Sequence, residues 1–190
     1  MVLSLGLAGC SEKSINEETQ KDEKTVAEIP VGDASKLGVY VDGKVTEEEY
    51  KQIKVGMTPE EVFTIIGSKG TVVSKSGADG DPHNTAIYKF DTASHSPGAE
   101  MTFEGDKLSY KAQNGLETTE IETNLEQLNK LEKGMSKENV FEILGGKGAL
   151  IAESEVLEIY SYNNSASDAE TTVLFIDGKF KSSGERKGSR

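Results

Sequence analysis

The chain of 190 residues carries 33 acidic and 21 basic residues, giving a formal net charge of −12, and only 35% of its residues are hydrophobic, none of them Trp. Such an acidic surface repels phosphate backbones, which excludes nucleic acid as a partner and disfavours direct contact with an anionic membrane surface. The low apolar content predicts modest cores, in one domain or two small ones.

The only cysteine, Cys10, follows an apolar run at the start of the chain. The segment Leu7-Ala8-Gly9-Cys10 resembles a bacterial lipobox, in which the signal is cut before the cysteine and the thiol receives diacylglycerol. An ordinary buried thiol is the alternative, and no basic segment precedes the run, which is shorter than a complete signal. The resemblance implies that residues 1–10 are a signal remnant, that Cys10 is the lipid attachment site, and that the protein is exported and anchored to the bacterial cell membrane or envelope.

Residues 11–45 are expected to form a flexible tether. The segment is rich in Glu, Lys, Ser, Asn and Thr, and it buries too little apolar surface to offset the entropy of ordering. At its end, residues 39–45 contain an Asp-Gly pair that suits a tight hairpin turn.

Two short helices are predicted after the tether. Thr46 and Thr58 each stand three residues before a Glu, which is the signature of a capping box at a helix N-terminus. Gly56 follows the first apolar stripe, where a left-handed exit from a helix costs least, and Gly67 ends the second helix. The pattern therefore predicts a helix pair with a Gly-Met-Thr hinge between its members.

The phrase that encodes this hinge is written twice, as KVGMTPEEVFTIIGSKG over residues 54–70 and as EKGMSKENVFEILGGKG over residues 132–148. Asn139 stands in the second copy where the first has Glu61, so the second capping box is incomplete. The duplication predicts two tandem repeats, repeat domain 1 over residues 46–116 and repeat domain 2 over residues 117–190.

After each helix pair the periodicity changes from helical to alternating, which is typical of strands with one buried face. The predicted strands cover residues 71–74, 85–91, 100–104 and 107–111 in the first repeat, and 149–153, 157–162, 171–176 and 179–183 in the second. The fold class is therefore α+β, with each repeat a short helix pair followed by a roughly four-stranded antiparallel sheet. The side chains expected to face the helices are Met101, Phe103, Leu108, Val173, Phe175 and Phe180.

The hinge, the helix stripe and the Phe-x-Asp-Gly hairpin at residues 175–178 resemble the tandem repeats of secreted β-lactamase-inhibitory proteins. The single unit also resembles the small outer-membrane assembly lipoproteins of the SmpA/OmlA type. The resemblance covers about residues 46 to 185 and implies two domains whose sheets line a concave, protein-binding surface. The inhibitor family also implies a disulfide in each domain and a face rich in Trp and Tyr, which this sequence lacks. No inhibitory residue is therefore transferred.

Catalytic and metal-binding motifs give no convincing match. The two Gly-rich segments at residues 67–70 and 145–148 follow helices and miss the spacing of a phosphate loop. The segment from Asp79 begins like a calcium loop, but Asn84 and Phe90 occupy the positions where Gly and Glu are needed. His83 and His95 are expected to be exposed in loops. No enzyme activity, cofactor, metal or small-molecule substrate is therefore predicted.

Protein binding remains as the predicted activity. If Phe175 faces the helices, alternation turns its neighbours to the open face of the sheet. Exposed apolar side chains there mark a contact, although packing against the other domain or the tether is an equal alternative. The candidate partner-binding residues are Thr102, Glu104, Thr172, Leu174 and Ile176. The partner is expected to be another envelope or extracellular protein, and the alternatives are inhibition of a secreted or surface enzyme such as a β-lactamase, or an envelope-assembly scaffold.

Overall fold

A computed structural model of the chain describes residues 43–78, 80–95 and 98–187. The signal remnant with Cys10, nearly all of the tether, and most of the hairpin predicted at residues 39–45 lie outside these residues. Within the described ranges, no helix is long and apolar enough to cross a membrane.

The first helix pair forms as its caps predict. Helix α1 spans Glu47–Gln52 and helix α2 spans Pro59–Ile66, and each begins with a complete capping box in which Thr46 or Thr58 accepts a backbone N–H. Capping side chains of this kind stabilise a helix by about 1 kcal/mol each. Helix α2 ends at Gly67 as predicted, and the φ of Gly67, 69°, is left-handed.

Four strands follow the first helix pair, and four more follow the second, and these eight strands pair antiparallel with one another. They are β1 (Thr71–Ser76), β2 (Thr85–Phe90), β3 (Ala99–Glu104), β4 (Lys107–Gln113), β6 (Ala149–Ser154), β7 (Leu157–Asn164), β8 (Ala169–Ile176) and β9 (Lys179–Lys187). A two-residue strand that was not predicted, β5 (Glu122–Thr123), pairs in parallel with β7. The mixed helix and antiparallel-sheet class is therefore confirmed.

The strands differ from the prediction of two four-stranded sheets because they form one continuous sheet, in the order β1-β2-β3-β4-β6-β7-β8-β9. Strand β4 pairs with β6 through Tyr110, Lys111 and Ala112, which face Ser154, Glu153 and Ala152. This pairing satisfies backbone groups on two strands that would otherwise be sheet edges.

The first helix of the second pair is shorter than the first helix of the first pair. Helix α3 spans only Leu125–Leu128, and helix α4 spans Lys137–Leu144. Leu128 and Leu131 are half-buried, whereas Tyr50 and Ile53, which precede the first hinge at the matching positions, are buried. As predicted, Ser136 caps α4 without a reciprocal bond from Asn139.

The two hinges share one geometry. Gly56 and Gly134 both have a φ of 91°. The Gly56 N–H donates to the carbonyl oxygen of Leu108 at 2.8 Å, and the Gly134 N–H donates to that of Phe180 at 2.9 Å. Each hinge is therefore hydrogen-bonded to the strand that follows a two-residue hairpin turn, β4 in the first half and β9 in the second.

Two hydrophobic clusters lie between the helices and the sheet. The cluster under α1 and α2 contains Met101, Phe103 and Leu108, and the cluster under α4 contains Val173, Phe175 and Phe180. All six of these predicted core residues are at most 4% exposed. Edge-to-face aromatic contacts centred on Phe63 and Phe141 connect each helix to its strands.

A buried lysine lies where the two halves of the sheet meet. The ammonium group of Lys111 donates to the carbonyl oxygens of Tyr50 at 3.0 Å and Ile53 at 2.8 Å. These oxygens lie at the end of α1, where carbonyl groups have no N–H donor within the helix. It also forms a 3.0 Å ion pair with Glu153 of β6 and lies 4.2 Å from the centroid of the Tyr50 ring. Burial lowers the pKa of Lys111, and Glu153 opposes that shift.

Candidate protein-binding face

The face of the sheet that turns away from the helices is called the outer face here. Its side chains alternate along each strand with the core residues, so their positions follow from the register. The outer face includes Ile87, Glu100, Thr102, Tyr110, Ala112, Ala152, Ile159, Ser161, Thr172 and Leu174, which are partly exposed apart from Ala152 and Ser161.

An apolar row runs across the middle of the outer face. Ala112 faces Ala152, Ala152 faces Ile159, and Ile159 faces Leu174 in the register of β4, β6, β7 and β8. Directly opposed side chains on adjacent strands have Cβ atoms about 4.5 to 5.5 Å apart, so these four form a contiguous strip. The strip crosses the β4–β6 junction and therefore belongs to both halves of the chain.

The five predicted partner-binding residues all lie on the outer face, but in two separate places. Thr102 and Glu104 lie on β3, and Thr172, Leu174 and Ile176 lie on β8, with β4, β6 and β7 between the two groups. Only Leu174 belongs to the apolar row. Ile176 faces Leu157, two residues along each strand from the Leu174–Ile159 pair. Glu104 is exposed at the end of β3.

Sequence reasoning missed Tyr110 because a β-bulge interrupts the alternation of β4. Phe103 faces Leu108, but the next residue of β3, Thr102, faces Tyr110, so Ser109 is the extra residue of the bulge. An uninterrupted strand would turn Tyr110 toward the helices with Leu108. The bulge instead turns Tyr110 outward and Lys111 into the core. Burial and the charge of Glu100 raise the pKa of Tyr110.

Ile159 and Ala152 were missed for another reason. Their alternation with Tyr160 and Glu153 was available from the sequence, but the importance of these positions comes from the β4–β6 pairing, which places them at the centre of the sheet. Both residues are found when apolar side chains at outward-facing positions are considered on every strand, and not on the last strands alone.

The linker from β4 to β5, residues 114–121, crosses one end of the outer face. The side-chain amide of Asn163 donates to the Thr119 carbonyl oxygen at 2.8 Å, and Leu150 N–H donates to the Glu117 carboxylate at 3.2 Å. Between the linker and the sheet lies a cavity of about 510 Å³, called the linker cavity here. Its charged and polar lining includes Glu117, Glu120, Glu122, Ser161, Glu170 and Arg186.

Ion pairs flank the apolar row on both sides. On β2 and β3, Lys89 and Glu100 are 3.4 Å apart. At the end of β8 and β9, the guanidinium of Arg186 donates from Nε to Glu170 at 2.6 Å, and the Ser161 hydroxyl donates to the same carboxylate oxygen at 2.7 Å. The outer face therefore combines an apolar centre with a polar border, an arrangement typical of protein-binding surfaces.

Within residues 43–78, 80–95 and 98–187, no group of three or more His, Cys, Asp or Glu side chains could hold a metal ion. His83 is exposed as expected, but His95 is half-buried because its ring packs against Gly115 of the linker.

Comparison with known proteins gives one family. The family model described as Beta-lactamase inhibitor (BLIP) matches residues 46–175. Among solved structures, a Streptococcus mutans protein described as "putative beta-lactamase inhibitor protein" is similar, with 13% identity and a TM-score of 0.48 over 81% of this chain and 96% of that chain. No curated protein sequence matches the chain. The match from residue 46 to residue 175 spans both helix pairs and the strands through most of β8.

Proposed function

Because the chain belongs to the beta-lactamase inhibitor (BLIP) family, we propose that it binds another protein through the outer face and catalyses no reaction of its own. The observation that carries this proposal is the apolar row, which joins the two halves of the chain across the β4–β6 junction. Three of its four side chains, those of Ala112, Ile159 and Leu174, are partly exposed, and a contiguous apolar strip with a polar border is typical of a contact surface.

Inhibition of a β-lactamase or a similar enzyme is the second candidate, and the family match supports it. The sequence has no Trp and a single Cys, so any inhibitory contact here would depend on other side chains. Tyr110, at the side of the apolar row, is the large aromatic residue that the outer face offers for such a contact.

We also propose that the fold arose by duplication, with repeats at residues 46–116 and 117–190. The matched geometry at Gly56 and Gly134 supports this proposal, as do the two-residue hairpin turns that follow Glu104 and Ile176. A more distant relation to the SmpA/OmlA lipoproteins, and with it an envelope-assembly role, is a further proposal that rests on the single repeat unit.

An export route and a lipid anchor complete the proposal. Cys10, in its lipobox-like segment, would receive the lipid, and the acidic tether would hold the binding face away from the membrane. Labelling of cells with a radioactive fatty acid should mark the wild-type protein and leave Cys10→Ala unmarked. Equal labelling of both proteins would contradict the anchor.

Replacing Leu174 by aspartate should remove partner binding and leave the fold intact, because Leu174 is partly exposed on the outer face, where it forms the β8 end of the apolar row. We expect the affinity for an envelope protein captured by the wild type to fall at least about 100-fold, since a desolvated charge would lie in an apolar contact. The measurement is a pull-down from the native envelope followed by titration of the captured protein.

Leu125→Asp is the matched control, because Leu125 is 72% exposed on helix α3, away from the outer face. It should bind the partner as well as the wild type does. The proposal is wrong if the two variants bind equally well, or if Leu174→Asp lowers the melting temperature as strongly as a core substitution does.

The inhibitor candidate is tested separately. Purified full-length chain at high micromolar concentration should slow hydrolysis of a chromogenic cephalosporin by a panel of secreted β-lactamases, and Leu174→Asp should not slow it. Unchanged turnover across the panel would remove inhibition of β-lactamases and leave protein binding in place.

A further inference from the structure

The linker cavity opens on the same side of the sheet as the apolar row. Ser161 lines the cavity and lies two residues from Ile159 along β7, on the same face of the strand. Two residues of an extended strand span about 6.8 Å, so one segment of a partner can reach both features. The volume of about 510 Å³ lies in the range of sites that enclose a small group.

The charges around the linker cavity do not balance. Its one guanidinium, that of Arg186, is bound to Glu170 through two short contacts, at 2.6 Å from Nε and 2.5 Å from a terminal nitrogen. Glu117 accepts a backbone N–H from Leu150. Within the described parts of the chain, Glu120 and Glu122 pair with no cation, so the cavity keeps a negative excess.

We infer that the partner presents a protruding segment with an apolar tip and a basic side chain, lysine or arginine. The tip packs on the apolar row while the cation enters the linker cavity beside Glu120 and Glu122. This inference rests on the proposed function, because it names the chemistry of the partner that the outer face accepts. The inference follows from complementarity, because the apolar row calls for an apolar side chain and the carboxylates of the adjoining linker cavity call for a positive charge.

The net charge of the whole chain favours the same partner. At −12, the protein attracts basic surfaces over distances of about a Debye length and repels acidic ones. An acidic segment would have to bring its carboxylate next to those of Glu120 and Glu122. A purely apolar segment would offer these two carboxylates no opposite charge. A basic segment has neither cost.

A pair of small peptides tests the inference on the full-length chain. The probe is N-acetyl-leucyl-arginine amide, and its control is N-acetyl-leucyl-citrulline amide, which has nearly the same shape and no charge. In a ¹⁵N NMR titration, we expect the arginine peptide to shift amide signals of residues 118–122 and of Ser161 and Ile159. The citrulline peptide should shift them at least about fivefold less at the same concentration.

Two charge-neutralising variants identify the site. Glu120→Gln/Glu122→Gln should weaken binding of the arginine peptide about fivefold or more, whereas Glu132→Gln/Glu142→Gln, which removes two exposed carboxylates on the helical side of the molecule, should change it less than about twofold. Raising the salt concentration should weaken wild-type binding further. Equal shifts with both peptides, or equal affinity in both double variants, would overturn the inference.

The outcome is separable from that of the proposed function. Charge-dependent shifts in a chain that captures no protein through Leu174 would contradict the proposed function and support the cavity as a cation site. Leu174-dependent capture in a chain that does not distinguish the two peptides would support the function and overturn this inference alone.

Discussion

Replacing Lys111 by methionine is expected to lower the free energy of unfolding by about 3 to 5 kcal/mol, the range measured when one partner of a buried ion pair is removed. The substitution keeps the length of the side chain but leaves Glu153 without its cation at 3.0 Å. It also removes the donor from the carbonyl oxygens of Tyr50 and Ile53, which are buried beside it. Urea unfolding followed by circular dichroism measures the loss.

A surface ion pair provides the control for Lys111. Lys89 and Glu100 are 3.4 Å apart, and both side chains are 38% exposed, so Lys89→Met should cost less than about 1 kcal/mol. In a double-mutant cycle, Lys111→Met and Glu153→Gln should couple by more than about 1 kcal/mol, because each removes the other's partner. A loss below about 1 kcal/mol for Lys111→Met would show that the junction does not depend on this contact.

The second large effect is alkaline unfolding. Burial is the main cause that raises the pKa of Tyr50, Tyr160 and Tyr162, and the charges of Glu153 and Glu158 add to the rise for the first two. The unfolded chain releases these protons near pH 10, while the folded chain retains them. The stability that they contribute is therefore complete below about pH 10 and is lost as the pH rises above it.

The size of this loss follows from the number of groups. Each tyrosine that stays protonated only in the folded state costs about 1.4 kcal/mol per pH unit, so Tyr50 and Tyr160, whose pKa values rise most, together cost about 3 kcal/mol per unit, and the raised pKa of Tyr162 adds to this loss. The lowered pKa of Lys111 acts in the opposite sense, but it adds no slope above about pH 10.5, where both states have lost that proton. The net result is a steep fall in stability at high pH.

Urea titrations at pH 9, 10 and 11, combined with tyrosinate absorbance, measure the alkaline effect. We expect the absorbance of these three residues to rise together with unfolding, and Tyr50→Phe to reduce the slope by about 1.4 kcal/mol per pH unit. Nearly complete tyrosinate absorbance in a chain that is still folded at pH 11, where an exposed tyrosine is about 90% ionised, would contradict the burial of the three hydroxyl groups.

Most of the secondary structure could be predicted from local signals. The capping residues Thr46, Thr58 and Ser136 and the terminal glycines Gly67 and Gly145 define helix ends through contacts within four residues, and the structure has these ends where the sequence placed them. The strands begin at or within two residues of the predicted positions, although β9 extends to Lys187. Local hydrogen bonds of this kind depend little on the rest of the fold.

The candidate site was less predictable. Leu174 and Thr172 could be assigned to the outer face because β8 alternates without interruption from Thr171 to Ile176. Tyr110 and Lys111 could not, because one extra residue, Ser109, exchanges the two faces of β4 for the rest of the strand. The linker cavity depends on where residues 114–121 lie across the sheet, and no periodic signal in the sequence encodes that path.

The sequence by itself determined the acidic surface, the order of helices and strands, and the side chains of the two cores, because charge, capping and alternation act over a few residues. Only the tertiary structure decided that β4 pairs with β6, that Lys111 is buried at their junction, and that one apolar row crosses both halves. These features join residues about 40 positions apart along the chain. The free energy of such contacts depends on how well two folded surfaces complement each other. That complementarity produces no periodic pattern along the sequence.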